Sequence, residues 1–477
     1  MAVVSQERPR TGRAAELGLL VIALAIAIGA YVQVSLVLTG ELPANLATRA
    51  GGLAALAVVA HVLVRWKATY ADPVILPIAV ALNGIGLTMI YRIDLAAGEA
   101  GEAGDADRQL MWTVVGVAAA MATLWLLKDH RILRRYTYTA MLAGLALIAL
   151  PLVPFLGATI NGARIWVFIG PMSFQPGELA KIVLGVFFAG YLVNERDTLA
   201  LAGPKVLGLQ LPRIRDLGPI LLAWAASIVI LVGERDLGTS LLFFGLFVAM
   251  LYVATERLSW VLIGLSLFAG GAVLASQFFG HVQARLDAWL TPFDPAVLDR
   301  DPGGSGQLVS GLFGLASGGL TGTGWGQGYP TTVPYANSDF IIAVIGEELG
   351  LVGLLAVLIL YLILAERGMR AAIGVRDGFG KLFASGMAFV FAFQVFVVVG
   401  GITRVIPVTG LTAPFLALGG SSLVANWIIV ALLLRISDSA RRPAPPVTDG
   451  GEGGGGDDVP APPRPSGNDN ETEVVRL

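Results

Sequence analysis

The sequence from residue 285 to residue 306 reads RLDAWLTPFDPAVLDRDPGGSG, and a glycine-rich segment extends it to residue 350. It is the one long polar interruption in a sequence otherwise built from long apolar segments. Five acidic residues precede the next apolar segment, and these are Asp287, Asp294, Asp299, Asp301 and Asp339. We therefore expect any chemistry of this protein to take place in this stretch.

The composition is that of a membrane protein. Of the 477 residues, 55% are hydrophobic and 14% are charged, whereas a soluble domain carries about 25% charged residues. The sequence therefore predicts an all-α polytopic membrane protein with about twelve transmembrane helices and one large extracytoplasmic loop. The predicted spans are 16–38, 45–65, 72–92, 109–127, 136–157, 177–194, 216–233, 237–254, 259–279, 338–365, 379–402 and 411–436.

Charge and rare residues exclude several classes of function. The net charge of −2 gives no indication of a nucleic-acid partner. The absence of cysteine excludes disulfides and a thiolate nucleophile. The three histidines, His61, His130 and His281, are too scattered to match a metal-ligand spacing, so no metal ligand is predicted.

Lysine and arginine are concentrated in alternate loops, at 65–67, 128–135, 205–215 and 367–376. Short loops rich in these residues face the cytoplasm. Both termini are therefore expected in the cytoplasm, and the large loop at about 280–337 is expected outside. A reaction on that side has no access to ATP or nucleotide sugars.

Three regions follow from this topology. Residues 1–14 form a cytoplasmic N-terminus, residues 15–438 form the transmembrane domain, and residues 439–477 form a tail rich in proline, glycine and aspartate. Such a tail cannot bury enough apolar surface to fold, so we expect it to be disordered.

Two Asp-Pro pairs in the large loop each allow two interpretations. An aspartate before a proline is a common start of a helix, because the carboxylate caps free N–H groups and proline fits the first helical position. Alternatively, Asp301 or Asp294 acts as a general base at the outer membrane face. Glycines at 303, 304 and 306 would allow a bulky head group to approach the backbone closely.

A second polar stretch begins a predicted span. Glu178 and Lys181 are three residues apart, so a helix places them on one face. Ionisable residues inside a membrane commonly mark a site, although a mutual ion pair explains these two equally well. Arg164 precedes them and is suited to hold a pyrophosphate, because guanidinium pairs with phosphate through two hydrogen bonds.

The last polar signal interrupts an apolar segment. Residues 407–422 read PVTGLTAPFLALGGSS. Proline and glycine break a membrane helix only where protein or water satisfies the freed backbone groups. Broken helices of this kind often line substrate cavities.

Taken together, these stretches resemble the SEDS family of bacterial glycan-chain polymerases, which comprises RodA, FtsW and SpoVE. The match covers roughly residues 75–438, and the ordered set of motifs is far more specific than any one of them. The Gly400–Arg404 motif and two additional N-terminal spans resemble the actinobacterial RodA branch. The matching segments are 161–166 (NGARIW), 175–181 (QPGELAK), 236–239 (DLGT), 301–306 (DPGGSG), 317–324 (SGGLTGTG), 338–341 (SDFI), 346–350 (GEELG) and 407–422.

The resemblance implies an inverting peptidoglycan glycosyltransferase that polymerises lipid II at the outer face of the cytoplasmic membrane, for cell elongation and shape or for division. Asp301 matches the family's essential carboxylate. Because the spacing from Trp289 to Asp301 is stretched, Asp294 is the alternative base. The residues expected to bind substrate are Arg164, Gln175, Glu178, Lys181, Asp236, Asp339, Ser421 and Ser422.

The resemblance also implies the participants in the reaction. The substrates are lipid II and a glycan chain linked to undecaprenyl pyrophosphate. The expected partners are a class B penicillin-binding protein, which is a transpeptidase, and other cell-wall machinery. No organic cofactor is expected. Either a divalent cation, Mg²⁺ or Mn²⁺, or Arg164 with Lys181 would stabilise the leaving pyrophosphate.

Two other functions are compatible with the same sequence. A lipid II flippase or other transporter would also have many helices, broken spans and intramembrane charges. A catalytically inactive scaffold for a partner transpeptidase is the third interpretation. Its support is the loss of two family features, since Gln307 directly follows Gly306 where the family has tyrosine, and Ser310-Gly311 replaces a Gln-Ser pair.

Overall fold

A computed structural model of the chain describes residues 11–98, 104–160, 162–170, 172–200, 205–206, 209–210, 225, 229, 233–300 and 303–443. Within these residues, eleven helical segments are long and apolar enough to cross a membrane. The expected all-α polytopic fold is confirmed. The predicted span 216–233 lies mostly outside the described residues, as do residues 1–10 and the tail from 444.

We number the helices of the described residues α1 to α14. In the same residues, 3₁₀ turns lie at His130–Tyr136, Leu150–Leu152 and Pro330–Thr332. The helix bounds are α1 Arg13–Thr39, α2 Leu46–Lys67, α3 Ile75–Ala97, α4 Asp105–Leu126, α5 Thr137–Ala149, α6 Pro176–Ala200, α7 Leu237–Thr255, α8 Leu258–Phe278, α9 Gly280–Leu290, α10 Pro295–Leu298, α11 Gly306–Gly318, α12 Ile341–Gly374, α13 Gly378–Ile402 and α14 Gly420–Arg441.

Short strands occupy two connections. Between α5 and α6, β1 (Gly157–Ile160), β2 (Ala163–Ile169) and β3 (Met172–Phe174) form an antiparallel sheet in that order. Gly157 pairs with Val167, and Val167 pairs with Phe174. After α6, β4 (Lys205–Val206) and β5 (Leu209–Gln210) form a two-stranded hairpin.

Helices α3, α6, α13 and α14 are the most buried spans, and α1, α2, α5 and α8 lie around them with much of their apolar surface exposed. Side chains of Val, Leu and Phe exposed on these outer helices suit a lipid environment, where they gain nothing from burial in protein. The chain is therefore built as an inner group of helices surrounded by a lipid-facing group.

Several span boundaries differ from the prediction. The predicted span 136–157 ends as an α-helix at Ala149, and residue 157 belongs to β1 instead. The predicted span 411–436 is observed as α14, which begins only at Gly420 and ends at Arg441, two residues beyond the predicted start of the tail at 439. Residues 407–419 are non-helical because two prolines interrupt the hydrogen-bonding pattern. The predicted span 338–365 is longer than expected and runs to Gly374.

Helix α12 is broken at Gly350, where φ is +67°. Its next two amides, from Leu351 and Val352, donate to the carbonyls of Gly319 (2.9 Å) and Leu320 (3.1 Å) instead of to their own helix. The loop after α11 thus supplies the hydrogen bonds that the break removes. A broken membrane helix requires this kind of substitute.

A buried ion pair fixes the same loop. Arg92 on α3 contacts Glu348 on α12 at 2.7 Å, and it also donates to the carbonyl of Gly328 at 2.7 Å. The second oxygen of Glu348 accepts from the amide of Gly326 (2.9 Å), and Glu347 accepts from the amide of Tyr329 (3.0 Å). The GEELG motif therefore joins three parts of the chain, α3, the loop and α12.

The basic loops meet at one end of the helical bundle. Arg367 and Arg441 both approach Asp72, at 3.6 Å and 3.9 Å, and Arg435 donates to the carbonyl of Lys67 at 2.6 Å. The three-stranded sheet and the loop after α8 belong to the opposite end. The fold thus separates a basic end from an end that contains most of the predicted site residues.

Gly86 provides a test of the packing between α3 and the non-helical segment before α14. A Cβ at Gly86 would collide with the carbonyl oxygen of Phe415 and lie 2.7 Å from the Cα of Leu416. Because backbone atoms cannot move aside, Gly86→Ala should lower stability by about 1–3 kcal/mol in thermal denaturation of the detergent-solubilised protein.

Gly271→Ala is the matched control, because Gly271 also lies inside a helix but has nothing within 4 Å of its added Cβ. Alanine is the better helix former, so this variant should be as stable as the parent or slightly more stable. Equal melting temperatures for the Gly86 and Gly271 variants would contradict the close approach of α3 to residues 415–416.

Candidate functional site

Several of the predicted site residues, although not Arg164 or Asp294, meet where α6, α7, α9 and the segment 407–419 converge. Gly177 at the start of α6 faces Thr239 at the start of α7, with 3.7 Å between an added Cβ and the threonine methyl. Gly238 in turn lies against the carbonyl of Thr409, at 2.9 Å from an added Cβ. The absence of a side chain at Gly238 allows α7 to approach the segment 407–419 closely, whereas an added Cβ at Gly177 would make only an ordinary contact.

Lys181 is the buried cation of this site. Its ammonium donates to Glu178 Oε2 at 2.6 Å and to Gln394 Oε1 at 3.1 Å, and the side chain is 1% exposed. Gln394 on α13 also donates to the carbonyl of Thr412 at 2.9 Å. The predicted one-face placement of Glu178 and Lys181 is thus observed, and the pair is tied to both α13 and the segment 407–419.

Asp236 caps α7 and belongs to the same group of charges. Its Oδ1 accepts from the amide of Thr239 at 2.9 Å, and the residue is buried. Arg285 on α9 interacts electrostatically with Asp236 and Asp339, while its guanidinium donates to the carbonyls of Val408 (3.2 Å) and Thr409 (2.8 Å). Arg285 therefore connects α9 to the non-helical segment and to two carboxylates.

Two carboxylates of this site, those of Asp236 and Asp339, have pKa values above the usual value for aspartate. Burial raises the pKa of Asp339 to about 6, the charge of Arg285 opposes this shift, and the charge of Asp236 adds to it. Burial also raises the pKa of Asp236, against the hydrogen bonds from Thr239 and the charge of Arg285. Burial likewise lowers the pKa of Arg285, although both aspartates act in the opposite direction.

The two serines at the start of α14 complete the cluster from its other side. Ser421 Oγ accepts from the amide of Gln175 at 2.8 Å, and Asn426 donates to Ser422 Oγ at 3.2 Å. Both serines are buried. Gln175 thus enters the site through its backbone, which links the segment before α6 to α14.

Arg164 lies outside this group of contacts. It is on β2, and its guanidinium donates to the carbonyl of Val153 at 3.3 Å. In this arrangement the side chain faces the backbone near its own sheet. Asn161, which belongs to the same motif, lies outside the described residues.

Asp301 and Pro302 also lie outside the described residues, but their neighbours are defined. Arg300 pairs with Asp287 on α9 at 3.0 Å. Ser305 donates through its hydroxyl to the carbonyl of Pro292 (2.6 Å) and through its amide to the carbonyl of Val297 (3.1 Å). The segment that contains Asp301 therefore starts and ends at residues bonded to α9 or to the loop after it.

Asp294 occupies the capping position that its Asp-Pro pair predicts. Its Oδ1 accepts from the amide of Ala296 at 3.0 Å, Pro295 is the first residue of α10, and Asp294 is exposed to solvent. This carboxylate has a structural role at the start of a short helix.

Sequence reasoning missed three polar contributors. Gln394 is a lone polar residue within apolar α13, Arg285 was quoted but given no role, and Glu234 was not considered. Glu234 is buried two residues before Asp236, and its Oε1 has no hydrogen-bond partner in the described part of the chain. A polar side chain inside a predicted span was the signal available for Gln394.

The described residues contain no group of three or more histidine, aspartate or glutamate side chains that could hold a metal ion. The expected divalent cation therefore has no ligand set in this part of the chain.

The fold and the site define a class: a polytopic helical membrane protein with a charged, partly buried site at one end. The family model described as Cell cycle protein, for FtsW, RodA and SpoVE, matches residues 73–442. The chain belongs to this family, as its motifs predicted.

Individual relatives agree with this assignment. The peptidoglycan glycosyltransferase RodA of Mycobacterium tuberculosis is 48% identical over 437 residues, which are 91% of this chain and 92% of the relative.

Two solved structures are similar in fold. One, described as "Structural coordination of polymerization and crosslinking by a peptidoglycan synthase complex", has a TM-score of 0.58 at 28% identity and covers 77% of this chain and 97% of that chain. The other is the crystal structure of the Thermus thermophilus rod shape determining protein RodA, with a TM-score of 0.54 at 26% identity and coverage of 77% and 96%.

Asp339 should make stability depend on pH. Its pKa in the folded protein, about 6, is above the value of 3.8 for a solvated aspartate. The native state therefore binds the proton more tightly than the unfolded state, and stability is lost as pH rises from about 4 to about 6. In Asp339→Asn this decrease in melting temperature should be smaller than in the parent, and identical pH profiles would contradict the raised pKa.

The ion pair of Lys181 should behave as a unit. Lys181→Met leaves the Glu178 carboxylate buried without its cation, so we expect a loss of about 3–5 kcal/mol in thermal denaturation. The double variant Lys181→Met with Glu178→Gln removes both charges and should be more stable than the single variant. A loss in the double variant equal to the sum of both single losses would contradict the pairing.

Proposed function

We propose that this chain polymerises lipid II into glycan strands at the outer face of the cytoplasmic membrane, for cell elongation and shape or for division. It is a peptidoglycan glycosyltransferase. The observation that carries this is its similarity to mycobacterial RodA, which extends over nine-tenths of both chains (91% and 92%). The charged site at one end of the bundle gives this activity a location.

The reaction joins two lipid-linked sugars. The C4 hydroxyl of lipid II attacks the anomeric carbon of the growing chain's terminal sugar, the new glycosidic bond forms, and undecaprenyl pyrophosphate leaves with its bonding electron pair. Asp301 accepts the hydroxyl proton as general base. One base is sufficient for an inverting displacement when the leaving group is a pyrophosphate, so no second catalytic carboxylate is required.

Asp301 is preferred to Asp294 on structural grounds. Asp294 caps α10 through its contact with Ala296, so that carboxylate is committed to a backbone amide (3.0 Å). The segment around 301 is attached to α9, which contacts residues 408 and 409 beside Asp339. The bonds of Arg300 to Asp287 and of Ser305 to Pro292, on either side of residue 301, support a base in the part of the molecule that contains the charged cluster.

The cluster supplies the charge that a pyrophosphate requires. Lys181 is shared between a carboxylate and an amide oxygen, and Arg285 is shared between carboxylates and carbonyls. Preorganised cations of this kind stabilise developing negative charge without reorganisation during the reaction. Glu178, Asp236 and Asp339 hold these cations in place, and Gln175, Ser421 and Ser422 shape the polar wall beside them. Arg164 would have to turn away from Val153 to reach a substrate.

The basic end of the bundle supports the proposed orientation. Residues Arg367, Arg435 and Arg441 belong to this end, together with loop residues 65–72. With the basic end in the cytoplasm, both termini are cytoplasmic and the charged site faces outward. A lipid-linked donor carries its own activation, so the reaction requires no nucleotide there.

The partner would be a class B penicillin-binding protein that crosslinks the new strands. The support is the similar solved complex, whose description combines polymerisation with crosslinking. Polymer made outside the membrane would then pass directly to the transpeptidase.

The test uses the purified protein in detergent with purified lipid II. Asp301→Asn should melt at the parental temperature but polymerise about 10²–10⁴-fold more slowly, because it lacks the base. Product chains are measured by gel electrophoresis. Polymer made by the parent in detergent, where no membrane separates two compartments, would exclude a pure transporter.

Asp294→Asn is the matched control, since it changes the other Asp-Pro pair of the same loop. It should retain near-parental polymerisation, with at most a small loss of stability from the missing cap. Normal polymerisation by Asp301→Asn together with an inactive Asp294→Asn would transfer the role of base to Asp294. A parent protein that makes no polymer would contradict the proposed function itself.

A further inference from the structure

The Gly400–Arg404 motif ends α13 in an unusual way. The amide of Val405 donates to the carbonyl of Gly400 (2.7 Å), and the amide of Arg404 donates to the carbonyl of Gly401 (3.2 Å). This pair of bonds defines a Schellman motif, in which the residue at the position of Arg404 is usually glycine. Arg404 adopts the left-handed conformation required there, with φ of +61°.

A side chain at this position has an energetic cost. The left-handed conformation disfavours a residue with a Cβ by roughly 1–2 kcal/mol. Glycine would avoid this cost, and the motif already contains two glycines. The arginine is therefore explained only if its side chain makes contacts that a glycine could not make.

Those contacts are all with the end of α9. Arg404 Nε donates to the carbonyl of Trp289 at 2.8 Å, and its NH2 group donates to the carbonyl of Leu290 at 3.1 Å. In return, Trp289 Nε1 donates to the carbonyl of Arg404 at 3.1 Å. Carbonyls in the last turn of a helix have no partner within the helix, and a cation there is favoured by the helix dipole.

The position of α9 determines the position of the segment that follows it. Within the described residues, α9 contacts the non-helical segment before α14 through Arg285 and is joined to the end of α13 through Trp289 and Arg404. The same helix holds Arg300 through Asp287. The contacts of Arg285 and Trp289 therefore lie on either side of Asp287, the α9 residue that pairs with Arg300.

We propose that Arg404 and Trp289 form a clasp that holds α9, and with it Arg285, against the charged cluster of α6, α7 and residues 407–419. Arg404 is a positioning residue in this arrangement. The inference rests on the proposed function for its effect on catalysis, whereas the clasp itself can be tested independently of any activity.

Arg404→Gly is the most informative variant. Glycine removes all side-chain contacts and relieves the left-handed strain, so the protein should fold with a melting temperature equal to or above that of the parent. Loss of the clasp should reduce kcat for lipid II polymerisation about tenfold, with KM changed less than about twofold, because Lys181 stays in place but α9 no longer holds Arg285 where charge develops on the leaving pyrophosphate.

Two further measurements separate positioning from folding. Hydrogen exchange of the α9 amides, residues 280–290, should become faster in Arg404→Gly, with unchanged exchange in α13 and α14. Trp289→Phe retains the aromatic packing but removes the Nε1 donor, so it should give a smaller change in the same direction. The double variant should lose little more than Arg404→Gly alone, because both residues act through one contact.

Arg376→Gly is the matched control, since Arg376 is exposed and lies just before α13 whereas Arg404 lies just after it. It should leave both kcat and exchange in α9 unchanged. Three results with Arg404→Gly would each overturn the clasp. These are a parental kcat, unchanged hydrogen exchange in α9, and faster hydrogen exchange throughout α13 and α14. If the parent makes no polymer, the proposed function fails, and the exchange measurement still decides whether the clasp exists.

Discussion

The charge of Lys181 is the constraint on which the half of the molecule that contains the charged site depends. An ammonium that is 1% exposed must be paired, because an isolated buried charge is prohibitively costly. Its two partners come from different places, Glu178 from the same helix and Gln394 from α13.

The pairing of Lys181 extends to the rest of the site through Gln394. That amide also donates to the carbonyl of Thr412, in a segment whose prolines leave backbone groups without helical partners. Arg285 satisfies two further carbonyls of the same segment, at 408 and 409. The polar side chains of the site therefore have two roles at once. They carry the charges of the proposed site, and they hold an irregular backbone inside a membrane protein.

Much of the fold could be predicted from the sequence because a membrane span has a simple signature of length and apolarity. The last span was misplaced because residues 411–418 are as apolar as a helix, and only the prolines and glycines reveal that they are not one. Glu178 and Lys181 could be paired from their spacing alone. The grouping of Asp236, Arg285 and Asp339 could not, because it depends on how three distant segments fold together.

The break of α12 at Gly350 has a consequence for the evolution of the family's outer loops. The amides of Leu351 and Val352 depend on the carbonyls of Gly319 and Leu320, and the carbonyls of Glu347 and Glu348 accept from Thr323 and Gly324. Lengthening or shortening the chain between 319 and 324 by one residue would shift this pairing out of register. Natural insertions and deletions are therefore expected to accumulate among the exposed residues of 291–299 and to avoid 319–324.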